Sequence, residues 1–278
     1  MAATNEPRTI TIRPSKGWAA LNLKDIWNYR ELIYFFTWRD LKVRYKQTLL
    51  GASWAVLQPF LTMVVFSVFF GGLAKVPSDG VPYPIFSYTA LLPWTLFSKA
   101  MQDASRSLVS SANIISKVYF PRLILPLASV LAGVVDFLIA FVVLLAMMLY
   151  YGIRPTANVW TLPLFVLLAL ITAIGVGLWL SALNVMYRDV GYIIPFLTQF
   201  WMYITPIAYP ASMVPEKWKF IYALNPLTGV VEGFRWALLG TGEGPGTSLF
   251  ISASISILLT ISGLFYFRRM ERKFADMV

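Results

Sequence analysis

The sequence predicts an all-α integral membrane protein: six transmembrane helices, a cytoplasmic interfacial helix ahead of the first, and a re-entrant external hairpin ahead of the last. Three observations predict it. Charged residues make up only 13% of the chain and hydrophobic ones 58%. An average soluble domain carries about 25% charged residues, so the excess apolar surface here must face lipid. Apolar runs recur at the length of about 20 residues that the hydrocarbon layer demands. The basic residues stand in short blocks beside those runs, as orientation in a membrane requires, and this argues against nucleic acid as the reason for the net charge of +10.

The elements follow in order. Residues 1–52 form a polar to mixed cytoplasmic segment with no signal-peptide pattern, so the first span is expected to stay in the protein. Ser53 to Ala74 is uncharged and is closed by Gly71-Gly72 and by Pro77, Gly80, Pro82 and Pro84. The second span, about Ile85 to Gln102, is weaker, because Pro93 interrupts it and Lys99 falls near its end. Lys99 and Asp103, four apart, can pair on one helix face, or Lys99 can snorkel. After a polar stretch, Leu123 to Tyr151 is broken only by Pro126 and Asp136, and Gly152 to Pro155 turns the chain. Trp160 to Met186 is the fourth span, Tyr187-Arg188-Asp189 a short loop, and Val190 to Tyr209 the fifth. Residues 210–246 are too polar and proline-broken for a span. They hold amphipathic pieces near Trp218 to Leu224 and Val230 to Leu239, hence a re-entrant or interfacial hairpin. Glu232 and Arg235, three apart, are expected to pair on it. Thr247 to Phe267 closes the membrane domain (53–267), and 268–278 is a charged tail.

Six spans place both termini on one side. Under that topology 18 of the 23 basic residues fall on the termini's side, leaving Lys75, Arg154, Lys217, Lys219 and Arg235 opposite. The termini are therefore expected in the cytoplasm.

Cys and His are absent, which removes thiol nucleophiles, imidazole bases and nearly all zinc chemistry. Ahead of the first span, Tyr34, Trp38, Leu41 and Tyr45 fall on one helical face, with Arg39, Lys42, Arg44 and Lys46 off it. This is the pattern of an interfacial helix, either a plain anchor or a lever on the first span. Two further stripes lie within spans: Gln58, Thr62, Phe66 and Phe69 in the first, and Tyr192, Phe196, Gln199 and Tyr203 in the fifth. Aromatic stripes in membrane helices commonly pack or meet lipid, but Gln in hydrocarbon needs a partner or a wet channel. Asp136 lies halfway through the third span. A proton relay, an ion site, a structural pair with Ser, Thr or a basic residue, and simple protonation all remain open. The structural pair is favoured, since no second ionisable group is evident at that depth.

Arg44-Tyr45-Lys46-Gln47-Thr48-Leu49-Leu50-Gly51-Ala52-Ser53-Trp54, followed by Leu57-Gln58-Pro59, resembles the opening signature of polysaccharide-export permeases. These are the membrane subunits of type-2 ATP-binding-cassette exporters of O-antigen, capsule and teichoic acid. Tyr119-Phe120-Pro121-Arg122, Tyr187-Arg188-Asp189-Val190, Asn225-Pro226-Leu227 and Phe267-Arg268-Arg269-Met270-Glu271 extend the resemblance along the chain. It implies a transport permease rather than an enzyme, in a bacterial plasma (inner) membrane. It implies a dimer with a second copy, two separate ATPase subunits, and a lipid-linked polysaccharide as substrate, moved past the first- and fifth-span stripes. The chain has no G-x-x-x-x-G-K-[ST] and no Gly-Lys pair, so no cofactor is expected on it and ATP-Mg belongs to the partner. In the family the loop corresponding to Asn113, Ile114, Ile115, Ser116, Lys117, Val118 and Tyr119 docks onto the ATPase; an ordinary connector helix is the plainer reading. The competing functions are export of a small lipid or drug by the same architecture, an ion-coupled carrier, and a membrane enzyme acting on polyprenyl-linked sugars. The scattered acidic residues, no two within two positions, disfavour the last.

Overall fold

The computed structural model describes residues 23–46, 51, 53–242, 244, 246–271 and 274, and the regular structure among them is all helical. A short α1 (Leu23–Asn28) leads into α2 (Arg30–Lys46). Then come α3 (Ser53–Phe66), continued by a π-helical stretch Ser67–Leu73, and α4 (Tyr83–Ser110). The four-residue α5 (Ala112–Ile115), α6 (Ile124–Tyr150), a 3-10 turn Ala157–Thr161 and α7 (Leu162–Met186) follow. The chain closes with α8 (Val190–Ile204), α9 (Glu216–Ala223), α10 (Pro226–Leu239) and α11 (Thr247–Glu271). Four stretches are long and apolar enough to cross a membrane: Ser53–Leu73, Ile124–Tyr150, Ala157–Met186 and Thr247–Glu271.

The second expected span departs most from its sequence bounds. α4 runs 28 residues, straight through Pro93 and eight positions past Gln102. It is the most enclosed helix of the bundle, with α3, α6, α7, α8 and α10 all packed on it. Five of its hydroxyl residues, Ser87, Thr89, Ser98, Ser105 and Ser107, are buried within the protein. Ser105 and Ser107 donate to the carbonyls of Gln102 and Ala104 at 2.6 and 2.7 Å, and the Asn184 amide donates to the Ser105 carbonyl. Hydroxyls that return to their own helix in this way leave no unsatisfied group, so the helix need not stop where the sequence turns polar.

α7 and α11 approach through glycine. A Cβ on Gly263 would stand 2.4 Å from the Gly175 carbonyl oxygen, and one on Gly175 would stand 2.7 Å from the Thr260 nitrogen. Small residues are what let membrane helices close to backbone contact.

At one end of the bundle α2, the α4–α6 loop and the end of α11 converge. Phe36, Leu108, Ile115, Phe120, Phe267, Met270 and Phe274 form a second apolar cluster there. Glu271 accepts from the Arg122 backbone N–H at 3.2 Å and from Arg268 at 2.9 Å. The fifth expected span, to Tyr209, is helical only to Ile204. The next residues form irregular buried backbone at the opposite end. Arg235 on α10 makes this possible. Its guanidinium donates to the carbonyls of Pro206 (2.6 Å), Ile207 (2.7 Å), Tyr209 (3.4 Å) and Phe86 (3.4 Å), and stacks 3.6 Å from the Phe86 ring centre. The expected pairing with Glu232 is thus secondary: Arg235 directs its N–H groups to carbonyls freed by the broken helix, and burial pulls the guanidinium pKa down to about 9, with the charge of Glu232 opposing that only in part.

Candidate functional site

Three features carry the chemistry. The first is the face of α3 and α8. α8 packs on α4 and α7 by Ile194 and Thr198, its buried residues, and turns the whole stripe outward. Tyr192 is 84% exposed, and Phe196, Gln199 and Tyr203 are exposed as well. On α3 the stripe divides. Gln58 and Phe69 are exposed and Thr62 is half-buried, donating to the Gln58 carbonyl. Phe66 turns inward onto Phe70 and the main core, so it does not share the outward face that the helical wheel gives it. The π-helical stretch that begins at Ser67 widens the turn and carries Phe69 to a different angle from an unbroken α-helix.

The second feature is a charged cluster around Asp136. Its side chain, 8% exposed, accepts from Arg44 at 2.5 Å and Lys99 at 2.6 Å, and from the Tyr45 hydroxyl. Arg44 also reaches Asp103 at 2.7 Å. Two sequence expectations change. Lys99 crosses to α6 rather than pairing down its own helix with Asp103, and Asp136 has charged company at its own depth. Beside Lys99 of α4, the company comes from α2, whose last turn bends Arg44 and Tyr45 inward while Tyr34 and Trp38 stay exposed and Leu41 half-buried. Burial, then the hydrogen bond to Asp136, pushes the Tyr45 hydroxyl well above the usual phenol range. The i, i+4 pair on α4 and the lone carboxylate on α6 were both visible in the sequence; what joins them is tertiary.

The third feature is the knuckle after α4. The helix expected over the docking loop is one turn only, covering Asn113, Ile114 and Ile115; Ser116, Lys117 and Val118 turn outward. Ile115 and Phe120 are buried as anchors in the second cluster, and Phe120 packs on Phe36 at 5.6 Å. Between these anchors Val118 and Tyr119 project into solvent, Tyr119 72% exposed. A rigid base with an exposed aromatic tip is suited to seating in a partner's pocket. Among the described residues no three acidic, His or Cys side chains gather to hold a metal.

Comparisons with known proteins identify the family. Residues 31–239 match the ABC-2 type transporter family model. The O-antigen export system permease protein RfbA of Klebsiella pneumoniae is 31% identical over 249 residues, covering 89% of this chain and 95% of that protein. Its namesake in Myxococcus xanthus is 27% identical over 92% of this chain and 98% of its own. The polysialic acid transport protein KpsM of Escherichia coli is 24% identical over 84% and 91%. With the family model spanning α2 to the end of α10 and these relatives aligned nearly end to end, the chain belongs to the ABC-2 type transporter family, among its polysaccharide-export permeases.

Proposed function

We propose that the chain is the membrane-spanning subunit of an ATP-driven exporter that moves a lipid-linked polysaccharide, O-antigen-like or teichoic-acid-like, across the bacterial inner membrane. It works as a homodimer with two separate ATPase subunits. The observation that carries this reading is the full-length likeness to O-antigen export permeases, joined to an outward stripe on α8 that no other described part of the protomer covers.

In this reading α3, α4, α6, α7, α8 and α11 make the six crossings. α4 qualifies because its polar residues up to Ser98 are enclosed by protein or, like Thr95, bonded to their own helix. α8, 15 residues long, spans about 22 Å at ~1.5 Å per residue and is completed by the backbone that Arg235 holds. The convergence of α2, the knuckle and the end of α11 puts the described chain ends on one face. The basic-residue asymmetry makes that face cytoplasmic.

Two copies would bring the α8 stripes, with Gln58 and Phe69 of α3, around a shared path. Aromatic faces stack on the apolar faces of sugar rings without fixing them, which suits a sliding polymer. ATP-Mg on the partners supplies the energy. Val118 and Tyr119 receive the motion, and the α2 end, locked to α4 and α6 through Arg44, carries it toward α3.

The test is co-purification of the tagged chain from its native membrane, with ATPase activity measured on what accompanies it. A stoichiometric ATPase whose rate responds to lipid-linked glycan is expected. A chain that purifies alone in every mild detergent would overturn the two-protein exporter and favour ion-coupled transport.

A further inference from the structure

A cavity of about 330 Å³ opens beneath the α9–α10 hairpin, at the end of the bundle away from α2 and the knuckle. Its walls include Asp79 from the α3–α4 loop, Ser212, Tyr222 of α9, and Thr228, Glu232 and Arg235 of α10. The loop and the hairpin are tied across it: the Ser212 hydroxyl donates to Asp79 at 3.2 Å, and Asp79 holds a left-handed turn conformation (φ 49°) ahead of Gly80. The size sits at the low end of the ~300–1,000 Å³ usual for small-ligand sites.

Thr228 is the telling residue. It is 3% exposed, it lines the cavity, and its hydroxyl has no hydrogen-bond partner among the described residues. Most buried threonine hydroxyls in the bundle return to the carbonyl three or four residues back, as those of Thr89, Thr172 and Thr198 do; Ser181 and Thr241 share the lack of a partner seen at Thr228, but neither lines this cavity. A buried hydroxyl left without that bond is destabilising unless something else supplies it.

The wall chemistry selects the ligand class. Two carboxylates, Asp79 and Glu232, and two cations, Lys219 and Arg235, line the cavity; Lys219 is held by Glu216 at 2.9 Å and Arg235 directs four of its N–H donors at backbone carbonyls, so the walls carry no net charge that would select an ion. A divalent cation lacks its ligand set among the described residues, where no three acidic groups gather. Carboxylate acceptors, hydroxyls that both donate and accept, and a tyrosine ring fit a polyol with one apolar face.

We propose that this cavity is a saccharide subsite on the exit side, holding one sugar unit of the exported glycan through Thr228, Glu232 and Tyr222. The exit-side assignment and the identity of the sugar rest on the exporter reading above.

The test uses the full chain with its co-purified partner in nanodiscs. Melting is followed by the intrinsic fluorescence of its 10 Trp. The probe is repeat-unit oligosaccharide released by mild acid from the native host's own surface glycan. The wild-type protein should show a saturable rise in Tm. Thr228→Val should melt, without probe, at or above the wild-type temperature, because an unsatisfied hydroxyl is gone. Its apparent affinity should be weaker by about fivefold, the worth of one hydrogen bond. Glu232→Gln should weaken binding likewise.

No glycan shift in the wild type, an undiminished shift in Thr228→Val, or the same shift produced by inorganic phosphate would each overturn the subsite. Export that persists alongside such a result removes the subsite alone. Surface glycan unchanged on deletion of this chain removes the exporter reading, and the sugar with it.

Discussion

Replacing Asp136 with Asn keeps the side chain's size and removes its charge, leaving Arg44 and Lys99 beside each other. Both cations now contact the same carboxylate oxygen, at 2.5 and 2.6 Å, so they stand no more than about 5 Å apart. At an effective dielectric near 20, two like charges at that distance repel by ~3 kcal/mol. Asp103 still holds Arg44, and Lys99, about a third exposed, can swing toward water, so part of this is relieved. Removing one partner of a fully buried pair costs ~3–5 kcal/mol, which sets the upper bound. The expected loss for Asp136→Asn is therefore about 2–3 kcal/mol, or a Tm lower by roughly 5–10 °C at ~2–4 °C per kcal/mol. Lys99→Met added to it removes the repulsion and should recover most of the loss. Tryptophan fluorescence melting in nanodiscs reads all three proteins. A single variant that melts with the wild type, or a double variant no better than the single, would refute the reasoning.

The remaining predictions touch other parts of the molecule. Phe196→Ala with Tyr203→Ala removes two exposed rings of the α8 stripe, so surface glycan should fall severalfold while expression and dimer assembly stay unchanged; immunoblots of glycan against the tagged chain compare the two. Val118→Asp with Tyr119→Ala alters only the exposed tip of the knuckle, and should weaken ATPase association at least about tenfold, ~1.4 kcal/mol or more, with Tm unmoved. Ile115→Ala, by contrast, empties the knuckle's buried anchor and should lower stability by about 2–5 kcal/mol. Arg235→Gln leaves several buried carbonyls short of donors and should cost about 3 kcal/mol or more, read as a large drop in Tm and in yield.

Where lipid is the surroundings, the sequence and the structure coincide. Ser53–Leu73, Ile124–Tyr150 and Thr247–Glu271 lie within a few residues of their apolar runs, because an uncharged stretch has one way to satisfy its backbone in hydrocarbon. The expected hairpin pieces correspond to α9 and α10, and Asn225 explains the second: its side chain caps α10 by accepting from the Leu227 N–H at 3.1 Å and from Trp201 at 2.9 Å. The π-helical stretch that re-aims Phe69 leaves no mark in a helical wheel. The cluster at Asp136 was half visible, since a lone carboxylate at mid-span signals a partner without naming it. The partner that matters comes from α2, 92 residues earlier, and no local period relates the two. Of the opening signature, residues 47–50 and 52 lie outside the described residues.

α4 explains why hydropathy alone misjudges this bundle. Its Ser87, Thr89, Ser98, Ser105 and Ser107 are all buried, and a window average scores each as a penalty against lipid. The relevant transfer is into a protein interior where every one of these hydroxyls has a carbonyl within 3.3 Å. The same substitution of protein for solvent lets α4 meet charged partners toward both of its ends: Lys99 and Asp103 receive α6 and α2 at one side, and the Phe86 carbonyl and ring receive Arg235 at the other. A helix facing lipid on all sides could host none of these groups without costing several kcal/mol apiece. The polar content that makes α4 the weakest span in the sequence is thus the content that makes it the common support of α3 and α8, the two helices that present the outward stripes.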